Sequence, residues 1–439
     1  MKPRILIAGF VALAVVLPAA APAQEDDRDP GVAEFTVAGI PVIHKPIEAN
    51  EVIAARLYLR GGSANLTAET AGIENFMAAA ATRGTEKYSR DEFAARSAAT
   101  GTALGANANP DYTVITLQAV SEHWEEAWDL FTQAALHPTF PAEEVELVRD
   151  QIVNQLKGRL DNPDAYLALL ANQQFYAGHP YEIDPLGTVE AVEALEPEDL
   201  GRWHAQRMTK ENLLLVVVGN VSREDVERKV EASFGALPAT GGASNPVPQI
   251  QPSDPRVDVT ERELPTNYIR GQFASPDPGH PDFPAMQVAT DILSDRFFEE
   301  VRTKRNLSYA VFAGLSQRRA NYGLVYVSAV EPDTTLAVML HEVDRLKTEP
   351  ITDERLAENV NVFLTQYWLA QETNMGQAAT LGAFEVVGGG WEKAADFVEG
   401  VRNVTPADIQ RVSETYLKGL HFVVIGNPAT IDDALFTSL

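Results

Sequence analysis

Two stretches of this 439-residue chain carry one pattern. LEPEDLGRWHAQRMTKENLLLVVVGN at 195–220 is echoed by VTPADIQRVSETYLKGLHFVVIGN at 404–427. Each reads as an acid-and-proline helix start, an amphipathic helix and a β-branched strand ending in Gly-Asn. A spacing of about 207 to 209 residues is far beyond the roughly 20–50 of solenoid repeats, so the pattern marks a duplicated domain. Between the copies runs LPATGGASNPVPQIQPSDPRVD at 237–258, whose Pro, Gly, Ser and Asn suit an extended, solvated linker. The expected division is a first domain over 32–238, a linker over 239–258 and a second domain over 259–439.

Periodicity within the first domain predicts strands in FTVAGIPVIHK, VIAARLYLRGGS and YTVITLQAVS (112–121), and helices over 71–82, 90–100, 122–136, 141–158 and 163–176. The second opens on the strand YIRGQFAS, followed by a helix over about 282–305. LSYAVFAGLS and YGLVYVSAV then read as an antiparallel pair, ahead of helices over 334–347 and 352–373. Mixed order of this kind predicts an α+β fold: two duplicated domains, each a mostly antiparallel sheet with helices on one face.

The first 23 residues hold Lys2 and Arg4, an apolar run from Ile5 to Leu17 and Ala21-Pro22-Ala23 before Gln24. That is the grammar of a secretory signal peptide, and about 13 apolar residues fall short of the roughly 20 that span a bilayer. The expected location is the periplasm or beyond. There is no cysteine, which excludes disulfides and thiol chemistry. With 35 Lys+Arg against 62 Asp+Glu, a net charge of −27 disfavours nucleic acid and anionic lipid as partners.

LRGGSANLTAETAGIENFMAAAATRGTEKYS at 59–89 resembles the signature region of the pitrilysin, insulin-degrading-enzyme and mitochondrial-processing-peptidase family of zinc metallopeptidases. In that family Gly-Leu-Ala opens a helix carrying His-x-x-Glu-His. The two His bind zinc, and the Glu between them deprotonates the bound water. Aligned on Gly72 and Gly84-Thr85, the first His falls on Asn75, the Glu on Ala78 and the second His on Ala79. The third ligand, a Glu on the helix FPAEEVELVRDQIVNQLKGR, falls on Gln155. Amide oxygens are poor zinc donors and Ala offers none, so this chain is expected to bind no metal. The eight histidines show no pair at helical spacing that could replace the site.

EEVRTKRNLSYAVF at 299–312 resembles the family's second signature, an Arg near a helix end and a Tyr in the following strand, here Arg302 and Tyr309, with Arg305 an alternative to Arg302. The resemblance implies that these face a zinc site across a central chamber, the tyrosine donating to the oxyanion and the guanidinium gripping a peptide carbonyl. It implies half of a clamshell: a non-catalytic, substrate-binding subunit of a periplasmic heterodimeric metallopeptidase, inactive alone. A homologous partner would supply His-x-x-Glu-His and zinc, and unfolded peptides would be the substrate, paired to a sheet edge. The alternative is an inactive scaffold or peptide-binding protein of the same fold.

Overall fold

The computed structural model describes residues 24–25, 31–241, 245–251 and 253–438; the expected signal peptide lies outside them. Twelve strands are described: β1 (Gln24–Glu25), β2 (Ala33–Val37), β3 (Ile40–Pro46), β4 (Val52–Arg60), β5 (Ala103–Ala108), β6 (Tyr112–Val120), β7 (Leu213–Gly219), β8 (Arg256–Glu261), β9 (Asn267–Ala274), β10 (Val311–Leu315), β11 (Tyr322–Ala329) and β12 (His421–Gly426). The helices of the first half are α1 (Ile73–Ala80), α2 (Arg90–Thr100), α3 (Trp124–Leu136), α4 (Ala142–Asp161), α5 (Pro163–Phe175), α6 (Val189–Ala194), α7 (Pro197–Arg207) and α8 (Arg223–Phe234). Those of the second are α9 (Phe283–Phe297), α10 (Pro332–Thr348), α11 (Asp353–Ala370), α12 (Asn374–Val387), α13 (Lys393–Arg402), α14 (Pro406–Tyr416) and α15 (Asp433–Phe436).

The strands form two sheets, ordered β1-β2-β3-β7-β4-β6-β5 and β10-β11-β9-β12-β8. Each sheet is antiparallel except at one place, β3 beside β7 in the first and β8 beside β12 in the second. The repeated motif therefore plays the same part twice: α7–β7 and α14–β12 put an apolar strand in the interior of each sheet, with one parallel and one antiparallel neighbour. Both helices start at proline, with Thr405 and Asp408 forming a capping box on α14 and Glu196 and Asp199 a similar one on α7.

Strands β7 (LLLVVVG) and β12 (HFVVIG) are buried along their whole length, so both faces of each sheet must be covered. One face of the first sheet packs on its own helices through Phe76, Trp128, Phe131, Leu200 and Phe234. The other carries Ile43, Ala54, Tyr58, Leu214, Val216 and Val218, and these pack on Ala378, Leu381 and Trp391 from the second domain. The exchange is mutual. Leu167 and Ala171 of α5 cover Tyr326, Val423 and Ile425 on the second sheet.

Several boundaries differ from the sequence reading. Arg256–Asp258, expected in the linker, belong to strand β8, where they pair with His421–Val423. The helix expected over 282–305 leaves the α conformation after Phe297 and continues as a wider π turn over Phe298–Thr303. Strand β10 starts only at Val311, so Tyr309 lies in the segment leading into the strand rather than within it. Strand β5 was not anticipated, because ALGANA has no β-branched or aromatic residue to signal it.

The exchanged helix α12 approaches the first sheet most closely at Gly382, where an added Cβ would sit 2.3 Å from the Tyr58 ring. On an open helix Gly→Ala gains up to about 1 kcal/mol. Here overpacking wins, and Gly382→Ala is expected to destabilise by about 1–3 kcal/mol. A lowered urea midpoint checks this; an unchanged or raised midpoint contradicts the close approach.

Candidate functional site

Helix α1 begins at Gly72, whose φ of 89° and contact with Leu186 and Gly187 leave no room for a side chain. The loop closing the helix is equally fixed, with Gly84 bridged to Ser89 and Thr85 to Pro138. The frame that would hold a zinc helix is therefore intact. Its contents are not. Asn75 is half-buried, Ala78 buried and Ala79 exposed, while Gln155 is exposed on α4, against which α1 packs. Two amides and two methyl groups do not fit zinc. Among the described residues no three His, Asp or Glu side chains gather where a metal could be held.

The second expected constellation lies in the other domain, at the end of α9. The π turn carries Arg302, whose guanidinium stands 4.7 Å from the Phe298 ring centre and 4.2 Å from that of Tyr309. Two aromatic faces thus hold a cation between them. Tyr309 is 81% exposed, and Phe298 and Phe312 are also open to solvent. Asn306, with φ of 52°, turns the chain from the helix toward Tyr309. Arg305 is occupied elsewhere: it donates to the Glu300 carboxylate at 2.5 Å, and Lys304 pairs with Glu299 and Glu300. No carboxylate among the described residues pairs with Arg302. Of the two candidates, Arg302 is the one without a carboxylate partner among the described residues.

Both sheets end in open edges. Among the described residues β5 pairs only with β6, and β10 only with β11. The turns beyond these edges are tied together, because Asp111 accepts from Arg319 Nε at 2.8 Å and from the Tyr181 hydroxyl, with Arg319 also donating to the Asp111 carbonyl. An extended peptide could add to either edge through its backbone.

Comparison with known proteins follows the same division. Residues 42–188 match the profile of the insulinase family, peptidase family M16, and residues 194–363 match that of the peptidase M16 inactive domain. The chain belongs to peptidase family M16. A protein of Mycobacterium tuberculosis named as an uncharacterized zinc protease is 22% identical over 423 residues, 94% of each chain. A peptidase M16 inactive domain from Pseudomonas fluorescens has a TM-score of 0.83 at 20% identity, over 90% of this chain and 98% of its own. The periplasmic protease PqqL of Escherichia coli has a TM-score of 0.78 at 15% identity, over 96% of this chain and 49% of PqqL. This M16 chain thus has the fold of one clamshell half.

One residue of the M16 helix escaped the sequence reading. Where the family opens with Gly-Leu-Ala, this chain reads Gly72-Ile73-Glu74, and Glu74 is 1% exposed. Its carboxylate accepts from Thr113 Oγ1 at 2.7 Å, with Arg207 and Trp203 facing it. An acid replacing a small residue in a helix otherwise stripped of charge was the available signal. Burial pushes Glu74 up to about 7, against which Thr113 and Arg207 act only in part.

A pH dependence follows from that shift. Between the ordinary value of 4.5 and about 7 the folded protein keeps a proton that the unfolded chain has released. The associated stability is complete below the unfolded value and is lost as pH rises through about 7. Relative to Glu74→Gln, the native chain is expected to lose up to about 3 kcal/mol between pH 5 and pH 8 in urea unfolding. A difference that stays constant with pH contradicts this account of the buried carboxyl.

Proposed function

We propose that this chain is the non-catalytic, substrate-binding subunit of an exported heterodimeric zinc metallopeptidase. A homologous partner supplies His-x-x-Glu-His, the third ligand and the zinc, and this chain lends Arg302 and Tyr309 to the partner's site. The observation that carries the reading is the contrast between the two halves. The first keeps the frame of the zinc helix without a single ligand, whereas the second presents an uncommitted guanidinium beside an exposed phenol. The apolar N-terminal segment and the likeness to a periplasmic protease support an exported location.

In this role the open edges β5 and β10 bind unfolded peptides through main-chain hydrogen bonds, which select for extended conformation over sequence. Tyr309 donates its hydroxyl to the oxyanion as it forms, and Arg302 fixes a neighbouring peptide carbonyl. Phe298 holds the guanidinium in place from the other side. Hydrolysis itself belongs to the partner.

The test is a reconstituted pair in which only this chain is varied. Arg302→Ala and Tyr309→Phe are each expected to lower kcat/KM by about 10² to 10³ without separating the subunits, the typical loss on removing one oxyanion donor. Arg305→Ala, whose side chain is committed to Glu300, should change it by less than about fivefold, in line with a surface ion pair. Full activity in the Arg302 and Tyr309 variants would remove this reading.

A further inference from the structure

The duplication extends to a helical hairpin. Helices α4 and α5 meet at Asn162, which caps α5, and α11 and α12 meet at Thr373, which caps α12. Set on these caps, the two hairpins align without a gap. Inward positions correspond, with Val145, Ile152 and Leu156 matched by Leu356, Phe363 and Tyr367. The outward faces do not. Gln151, Lys157 and Gly158 of α4 are replaced by Val362, Trp368 and Leu369, which are 57%, 51% and 57% exposed. No charged residue occurs from Asn359 to Gln371, in a chain with a net charge of −27. The fold does not require an apolar surface here, because its own duplicate places a lysine, an amide and a glycine at the same positions.

Beside this face lies a groove of about 720 Å³ between α11, α12 and α13, lined by Tyr367, Trp368, Leu381 and Val398 and by a balanced set of charges, Lys45, Arg402, Glu372 and Glu399. The first domain has a matching groove of about 890 Å³, in which Leu156, Leu160 and Leu169 stand where Tyr367, Gln371 and Thr380 stand in the second. The groove therefore belongs to the fold; α4 exposes Leu147 and Leu160, but the cluster of Val362, Trp368 and Leu369 has no counterpart at the matching positions of α4.

Size decides what covers it. A stable subunit interface buries about 800 Å² on each partner. Three half-exposed side chains of this size offer on the order of 300 Å², enough for a few residues of a peptide. Val362 and Leu369 are two helical turns apart, about 10 Å, which about three residues of extended chain span. Gln366 between them occupies the position of Gln155 on α4.

Resting on the substrate-handling role proposed above, we propose that the outward face of α11 and its groove form an apolar subsite for peptide substrates. Trp368 and the groove receive one aromatic or aliphatic side chain, and Val362 with Leu369 receives another two or three residues along. The substrates are unfolded peptides with closely spaced apolar residues.

The purified chain is titrated with two short fluorescent peptides of equal length and zero net charge, one with two Phe residues two apart and the other with Ser in their place. The Phe peptide is expected to bind at least about tenfold more tightly. The double variant Val362→Gln, Trp368→Lys installs what the fold already tolerates on α4, so it should keep its thermal unfolding midpoint and lose that advantage. Equal binding of the Phe peptide by native and variant chains would overturn the subsite. So would a native dimer that the variant converts to monomer, or a variant that no longer assembles into the reconstituted pair, since either would make the face an interface. Failure of the substrate-handling role would read differently: Phe-peptide binding would persist at α11 while Arg302→Ala left the pair's activity untouched.

Discussion

Neither sheet can bury both faces with its own helices. Strands β7 and β12 are apolar on both sides, and each domain supplies helices to only one. The remaining faces are closed by exchange, α12 on the first sheet and α5 on the second. The two domains thus form one folding unit despite the linker between them, because separating them would expose two apolar sheet faces at once. The Asp111–Arg319 pair and the Tyr181 hydroxyl then tie the turns of the two edge hairpins, each partner largely withdrawn from water. Rigidity of this kind is what the role proposed for Arg302 and Tyr309 requires, since side chains that act on a second chain's site must be held in fixed positions.

The erased zinc helix shows which parts of such a helix are structural. Gly72 and the Gly84-Thr85 turn are held by close packing, and Phe76 and Met77 are buried in the core of the first domain. At the ligand positions stand Asn75, Ala78, Ala79 and Gln155, residues that offer zinc no ordinary ligand set. Glu74 is the exception, a buried carboxyl at a position where the family carries a small residue. Its surroundings hold it near neutrality, so it contributes stability chiefly in protonated form.

Much of this was legible in the sequence. The duplicated Gly-Asn strands located a buried interior strand of each sheet, and the Gly72 to Thr85 stretch gave the zinc frame together with its missing ligands. Strand β5 was not legible, because Ala, Gly and Asn carry no strand signal; pairing with β6 makes it a strand. The availability of Arg302 over Arg305 was also hidden. It depends on Glu300 claiming one cation and two aromatic rings claiming the other, and the π turn that arranges them has no sequence signature. Arg256–Asp258 looked like linker because their β partner, β12, lies more than 150 residues later. The apolar face of α11 became visible only when the caps at Asn162 and Thr373 aligned it with α4 and the exposure of each position could be compared.

The central claim is that this chain works as half of a metal enzyme whose metal it does not hold. Native mass spectrometry of the chain purified from the cell that produces it tests that claim most directly. The account predicts a one-to-one complex with a homologous chain bearing His-x-x-Glu-His, with one zinc ion that stays with the partner when the complex is separated. Recovery of this chain alone, or as a homodimer without zinc, would contradict it.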